Sequence, residues 1–509
     1  MMERNDNPAR AGRREWIGLA VLALPCVLYS MDLTVLNLAV PSLSATLRPS
    51  AAELLWIVDI YGFLVAGSLI TMGTLGDRIG RRKLLLIGAT VFGLASALAA
   101  FSATPAALIA MRALMGIAAA TLAPSTLSLI RNMFHDPHER TVAISVWIMS
   151  YSAGAAIGPI LGGLMLEHFW WGSVFLVNVP VMLLLLVLAP LLLDEFRDPG
   201  AGRIDLLSAA QSLAAILAVI YGLKRVAEGG SADLAALSIV AGLAVGYAFV
   251  RRQARLADPL IDLRLFRNPA FGAALAVNLL GFMTAFATFL FIAQYLQSVL
   301  GLSPLQAGFW GLPAAFAFIA GSIVTPRIVR RFEPTQVIAG GMLLSAAGFV
   351  VLAQVDGSPS SLAMLVTGQI VFSLGLTPVA ALTTDIVLGS SPPERAGSAA
   401  ALSETSAELG GALGIALMGS LVTAVYRGAL SGAETGGLPG AALEAARTTI
   451  GAAEGAAASL PAESGVRLLE LSRDAFAGAF GTASWVSAAI AVTVALLAAR
   501  MLRPRPASP

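Results

Sequence analysis

The sequence predicts an all-α polytopic membrane protein with fourteen transmembrane helices in a 6+2+6 arrangement. Three observations carry that prediction. The 509 residues are 57% hydrophobic and 12% charged, whereas a soluble globular chain carries about 25% charge. Fourteen apolar segments each approach or exceed the length that crosses a bilayer, about 20 residues. The Lys and Arg residues crowd into alternate connections between those segments, the bias expected of cytoplasmic loops.

The elements follow in order. Met1–Glu15 has mixed charge and reads as a cytoplasmic tail. The apolar run from Trp16 exceeds a signal-peptide core of about 7–15 residues, so it reads as an uncleaved first span. Spans 1 to 14 are expected near residues 16–43, 53–74, 83–101, 106–130, 141–164, 172–193, 205–225, 233–250, 270–299, 305–327, 335–355, 361–388, 398–426 and 476–499. With both termini cytoplasmic, 24 of the 32 Lys and Arg residues fall on the cytoplasmic side, seven fall outside, and Arg112 lies within a span.

Residues 428–474 form the longest connection, outside by this count and rich in Ala, Gly and Glu. An amphipathic stretch at 462–471 suits a short helix. The loop is either a surface excursion or a lid over the outer mouth. The expected domains are a tail (1–15), an N-terminal six-helix bundle (16–200), an inserted helix pair (201–255) and a C-terminal six-helix bundle (256–509) that carries the external loop.

The turn Gly73-Thr74-Leu75-Gly76-Asp77-Arg78-Ile79-Gly80-Arg81-Arg82-Lys83 fixes the orientation. A charge at the bilayer centre costs about 2.5–3.5 kcal/mol even on insertion scales. Four cations and a carboxylate therefore belong at a membrane face. Asp77 and the Arg81–Lys83 cluster can form a charged latch there, or can simply set topology. A weaker echo at 321–332 keeps the leading glycine and the basic end, with Thr325 in place of Asp77. Two matching halves suggest a duplicated transporter, spans 1–6 and 9–14, with spans 7 and 8 inserted.

Several classes are excluded. A net charge of +2 suggests no nucleic-acid partner, and the lone Cys26 supplies no disulfide framework. His135, His138 and His168 fall in expected loops and make no metal site, so neither metal nor cofactor is expected. There is no Gly-x-x-x-x-Gly-Lys-Ser/Thr sequence and no nucleophile–base constellation. The chain reads as an ion-driven transporter rather than an enzyme.

Three further motifs carry chemistry. Gly154, Gly158 and Gly162 recur at four-residue intervals around Pro159, giving span 5 a smooth packing face and a missing backbone hydrogen bond. Arg112-Ala-Leu-Met-Gly116 puts a cation inside span 4, where it needs a partner or the carbonyls of a helix end. Asp32-Leu-Thr34-Val-Leu-Asn37-Leu-Ala-Val-Pro41 puts an acid in span 1.

Together with the 73–83 turn, these motifs resemble the major facilitator superfamily. More narrowly, they resemble its fourteen-helix drug:proton antiporters, bacterial exporters of quaternary ammonium compounds and antibiotics. The motifs cover the first third of the chain; the second half matches in helix count and in its weaker basic turn. Met115 departs from the pattern, which has Gln before the first glycine of the span 4 motif. The resemblance implies a major facilitator fold and a gating latch at Gly73, Asp77, Arg78, Gly80, Arg81 and Arg82. It also implies a leak-proof seam at Gly154, Gly158, Pro159 and Gly162, a role for Arg112 in proton transfer, and a monomer.

Acids inside spans are candidates for proton relay or for holding a cation. They are Asp32, Asp59, Asp385, Glu404 and Glu408, with Asp32 foremost for its depth in span 1. Glu404 and Glu408 are four residues apart and share one helix face. Asp385 can instead pair with Arg395. Trp56, Tyr61, Trp147, Tyr151, Phe286, Phe289, Tyr295 and Trp310 can line a pocket for a lipophilic cation, or serve as packing. Trp170 and Trp171 suit the membrane interface.

The expected function is proton-coupled efflux of lipophilic, cationic drugs or antiseptics by alternating access in the cytoplasmic membrane. The expected partners are protons, small molecules and lipid. The alternative is a dedicated exporter of one antibiotic or metabolite for self-resistance. A non-transporting sensor has little use for intramembrane charges that each cost stability.

Overall fold

The structure is a computed structural model that describes residues 10–197, 205–227, 231–256, 259–261, 263–358, 360–389, 396–432 and 438–501. The N-terminal half holds α1 (Arg13–Leu47), α2 (Ala51–Ile79), α3 (Arg81–Ala100), α4 (Pro105–Met133), α5 (Pro137–His168), the single turn α6 (Ser173–Leu176) and α7 (Asn178–Leu192). Next come α8 (Leu206–Ala227) and α9 (Ala232–Gln253). The C-terminal half holds α10 (Pro269–Gln294), α11 (Pro304–Val329), α12 (Pro334–Leu352), α13 (Ser361–Gly389), α14 (Ala396–Gly432), α15 (Gly440–Ala446), α16 (Ile450–Ala457) and α17 (Ala462–Met501). Among the described residues, fourteen spans are long and apolar enough to cross a membrane.

Local sequence sets the starts of these helices. Ser50 accepts from the Glu53 amide (3.2 Å) while the Glu53 carboxylate takes the Ser50 N–H (2.9 Å), a reciprocal box that opens α2. Ser303 and Gln306 repeat it at α11, where Pro304 fills the first helical position.

The same packing scheme occurs twice. In the first half α1 lies on α5, α2 and α3 on α4, and α3 on α7. In the second half α10 lies on α14, α11 and α12 on α13, and α12 on α17. Glycines make the closest crossings. A Cβ at Gly154 would fall on the Val27 carbonyl oxygen of α1, and one at Gly162 would come within 2.7 Å of Val35 Cγ1. In the second half, Cβ atoms at Gly410 and Gly414 would strike the Leu279 and Met283 carbonyls of α10. The α8–α9 hairpin is stapled at one end by Asp205, which accepts from Arg252 Nε (3.2 Å) and Nη2 (3.1 Å). Its α8 leans on α2 and α14, where Ile220 packs with Phe63, Ala412 and Ala416.

The two halves meet along α2–α14 and α5–α11. Gly163 faces Leu305, Gly308 faces the Pro159 carbonyl, and Gly419 faces Leu55. These contacts lie toward the end of the bundle opposite the 73–83 turn. At that same end α15 and α16 fold over the bundle. A Cβ at Gly451 would stand 2.6 Å from Ser44 Cβ of α1, and Tyr426 Oη donates to the Ala446 carbonyl (2.9 Å).

Some expectations change in detail. The stretch 462–471 is no separate helix but the opening turns of α17, because its apolar face runs on into the last span. The 428–474 connection carries α15 and α16 as well. Span 6 is broken after the turn α6, and span 9 ends in a π-helical turn, Tyr295–Val299. His138 and His168 lie within the two ends of α5 rather than in loops. Trp170 is 45% exposed, but Trp171 is buried at 6%.

Candidate functional site: a central cavity beside a buried charge network

A cavity of about 400 Å³ lies between the halves, lined by α1, α5, α10, α11 and α13. Phe282, Phe286, Phe289 and Phe318 form much of its wall, and Ser30, Thr34, Asn37, Tyr151 and Gln369 supply the polar groups. Pro159 and Ala155 bring the α5 seam to its edge. Of the aromatic residues singled out from the sequence, Tyr151, Phe286 and Phe289 line it. Tyr295 is instead buried against Phe476 and Phe480. Trp56 packs in the cluster formed with α8, and Trp310 is 39% exposed.

The charged residues sit beside the cavity. Arg112 (1% exposed) donates from Nη1 to Asp32 Oδ2 and from Nε to the Ile57 carbonyl (3.2 Å). Its guanidinium lies 4.5 Å from the centroid of the Tyr61 ring. α4 can approach α2 this closely because Gly116 faces the Tyr61 backbone, where a Cβ would meet the carbonyl oxygen at 2.6 Å. Asp59, two residues before Tyr61, is 1% exposed. Asp32 is 6% exposed and lies outside the cavity lining, between the lining residues Ser30 and Thr34.

A second acid comes from the other half. Tyr29 Oη donates to Glu408 Oε1 at 2.5 Å, joining α1 to α14. Tyr29 also packs against Tyr61 (6.1 Å between centroids) and Tyr151 (5.7 Å). Tyr61 lies within electrostatic reach of Asp32, Arg112 and Glu408. The Tyr61 hydroxyl is fully buried without a hydrogen-bond partner. A row of contacts thus runs Asp32–Arg112–Tyr61–Tyr29–Glu408 across the two halves: an ion pair, a cation–ring contact, a ring–ring contact and a hydrogen bond. Glu404, one turn before Glu408, is exposed and within electrostatic reach of Tyr151. Asp385 is exposed on α13, next to Thr384, whose hydroxyl lies 3.1 Å from the Ser403 hydroxyl of α14, and Arg395 lies outside the described residues.

The 73–83 turn is held by an acid from beyond it. Glu195, just after α7, accepts from the Arg82 and Lys83 amides (2.9 and 3.0 Å), placing a carboxylate on the positive end of α3. Arg82 Nη1 reaches the Leu193 carbonyl (2.7 Å) and Arg81 N donates to the Phe196 carbonyl (2.8 Å). Gly80 has φ +114°, and a Cβ there would stand 2.6 Å from the Glu195 carboxyl carbon. Arg81 is buried over Gly76, and Arg78 is exposed. The side chain of Asp77 lies outside the described residues.

Glu195 and Tyr29 are the residues that sequence reasoning missed. An acid shortly after a span, at the face that carries the basic turn, was the available signal for Glu195. Tyr29 gave none beyond its place one turn before Asp32.

Two repeated six-helix halves around a central cavity, with a charge pair buried at its side, define a membrane transporter. Residues 22–415 match the profile of the Major Facilitator Superfamily, and the chain belongs to that family. It is 40% identical to the multidrug efflux pump LfrA of Mycolicibacterium smegmatis, over 97% of each chain. It is 37% identical to the methyl viologen resistance protein SmvA of Salmonella typhimurium, over 91% of this chain and 93% of that one. The tetracenomycin C resistance and export protein of Streptomyces glaucescens is 33% identical over 80% of this chain and 76% of its own. A bacterial homologue of the human lysosomal transporter Spinster shares the fold, with a TM-score of 0.68 at 18% identity over 98% of this chain and all of the other.

Proposed function

We propose that the protein is a proton-coupled pump that exports lipophilic aromatic compounds, cations among them, from the cytoplasm by alternating access. The observation that carries this reading is the Asp32–Arg112–Tyr61–Tyr29–Glu408 chain. It links a buried charge pair in one half to the acid that the other half presents at their interface, beside the cavity. The efflux and resistance roles in the relatives' names support it.

In this reading the 73–83 turn faces the cytoplasm, both termini lie there, and the chain works as a monomer in the cytoplasmic membrane. The contacts at the opposite end then make this the inward-open state, and Glu404 faces the open side. A substrate enters the cavity while Asp32 and Glu408 are charged. After the halves rock outward, protons arriving from outside neutralise the two acids. Arg112 then loses its counter-charge and Tyr29 its charged acceptor. The substrate leaves, and the return stroke delivers the protons inward. Each proton moving inward down 100 mV supplies about 2.3 kcal/mol.

The test is efflux of ethidium from energised vesicles. Efflux is expected to stop with a protonophore and in Asp32→Asn and Glu408→Gln. Unchanged efflux in both variants would remove the acids from the coupling path. A second reading, a dedicated exporter of one antibiotic or metabolite, draws on the uncharged cavity lining and on the tetracenomycin exporter among the relatives. Transport of several unrelated cations would exclude it.

A further inference from the structure

The cavity lining contains one group whose hydrogen bonding the protein leaves unfinished. Gln369 on α13 lines the cavity, is 1% exposed, and its Nε2 has no hydrogen-bond partner. A buried amide N–H without an acceptor is uncommon, because nothing replaces the water it gave up. The surrounding wall does not replace it either. Phe286 and Phe289 line the same space, and Phe289 packs on Phe372 of α13 at 5.1 Å between centroids. Among the described lining residues there is no carboxylate, so the cavity offers aromatic faces and the Gln369 amide rather than a counter-ion, and a turn about the terminal side-chain torsion brings the shielded Nε2 to the cavity surface.

We propose that Gln369 is a specificity-determining residue, whose amide N–H donates to a carbonyl or quinone oxygen of a flat aromatic substrate lying along Phe286 and Phe289. This deepens the efflux reading given above and rests on it. A cation without an acceptor atom is held here by ring faces alone. A site built to bond a substrate oxygen discriminates against analogues that lack one. The pump therefore handles two chemistries unequally: quinone- and ketone-bearing polycycles use Gln369, and bare aromatic cations do not.

The experiment measures direct binding to the purified full-length protein in detergent, with daunorubicin, a quinone, and methyl viologen, a dication with no hydrogen-bond acceptor. Gln369→Leu and the nearer isostere Gln369→Met are compared with the unmutated protein. Both variants are expected to bind daunorubicin about tenfold more weakly and methyl viologen as tightly or more tightly. Retained viologen binding certifies that the variants fold. Equal weakening of both ligands, or of neither, would overturn the assignment, as would failure of the unmutated protein to bind daunorubicin. Vesicle efflux of the same two compounds is scored separately. If binding is selective but nothing is transported, the efflux reading falls and the role of Gln369 in ligand recognition stands.

Discussion

Arg112 holds its place by three contacts of different kinds: an ion pair to Asp32, a bond to the Ile57 carbonyl, and the face of Tyr61. A planar fork makes all three at once, and a lysine ammonium does not. Arg112→Lys is expected to fold and to lose about tenfold or more in efflux rate. Arg112→Ala strands the Asp32 carboxylate and is expected to cost about 3–5 kcal/mol, read as a drop in melting temperature that the double variant with Asp32→Asn partly restores. Both members of this pair were legible in the sequence, because a charge inside an apolar run stands out. Their pairing was not, since α1 and α4 lie 80 positions apart at this point. The Tyr29–Glu408 bond spans 379 positions and joins opposite halves. Within an apolar run a tyrosine looks like packing, and only the fold reveals its partner.

The seam between α1 and α5 shows how far spacing goes. The four-residue rhythm of Gly154, Gly158 and Gly162 announced a close helix contact, but not which helix would fill it. A Cβ at Gly154 meets backbone, which cannot move aside as a side chain can. Gly154→Ala is therefore expected to cost about 1–3 kcal/mol by overpacking. Gly428→Ala in α14, where a Cβ would meet nothing within 4 Å, is expected to be neutral or to stabilise by up to about 1 kcal/mol. Thermal unfolding in detergent separates the signs. Helix count was legible because hydropathy is local. The docking of α15 and α16 was not, because short Ala- and Gly-rich helices acquire a place only from what they touch. Within α16, burial pushes the Glu454 carboxyl above its ordinary range, opposed by Ser298 and Arg473. A raised folded value means that the proton favours the docked form: docking is firm at low pH and weakens as pH rises through that value. The protection factors of the 450–457 amides, with the intrinsic pH dependence of exchange divided out, are expected to be higher at pH 5 than at pH 8, and Glu454→Gln is expected to abolish that difference.

For the whole molecule, the contacts between halves define which end is shut. Gly62 of α2 would place a Cβ 3.3 Å from Ala412 Cβ of α14, near the separation of about 3.5–4.5 Å that a disulfide bridges. A cysteine pair at these positions is expected to cross-link on oxidation, stop efflux, and recover with reductant. Continued efflux by the cross-linked protein would rule out separation of α2 and α14 in the cycle. The buried Cys26 leaves the background clean. The α15–α16 hairpin has a further consequence. It belongs to one half by chain order yet rests on α1 of the other, and on the proposed orientation it stands outside the cell. An antibody fragment that grips it in this pose would hold the outer door shut. Such a blocker never enters the cytoplasm, so the pump has no means of expelling its own inhibitor.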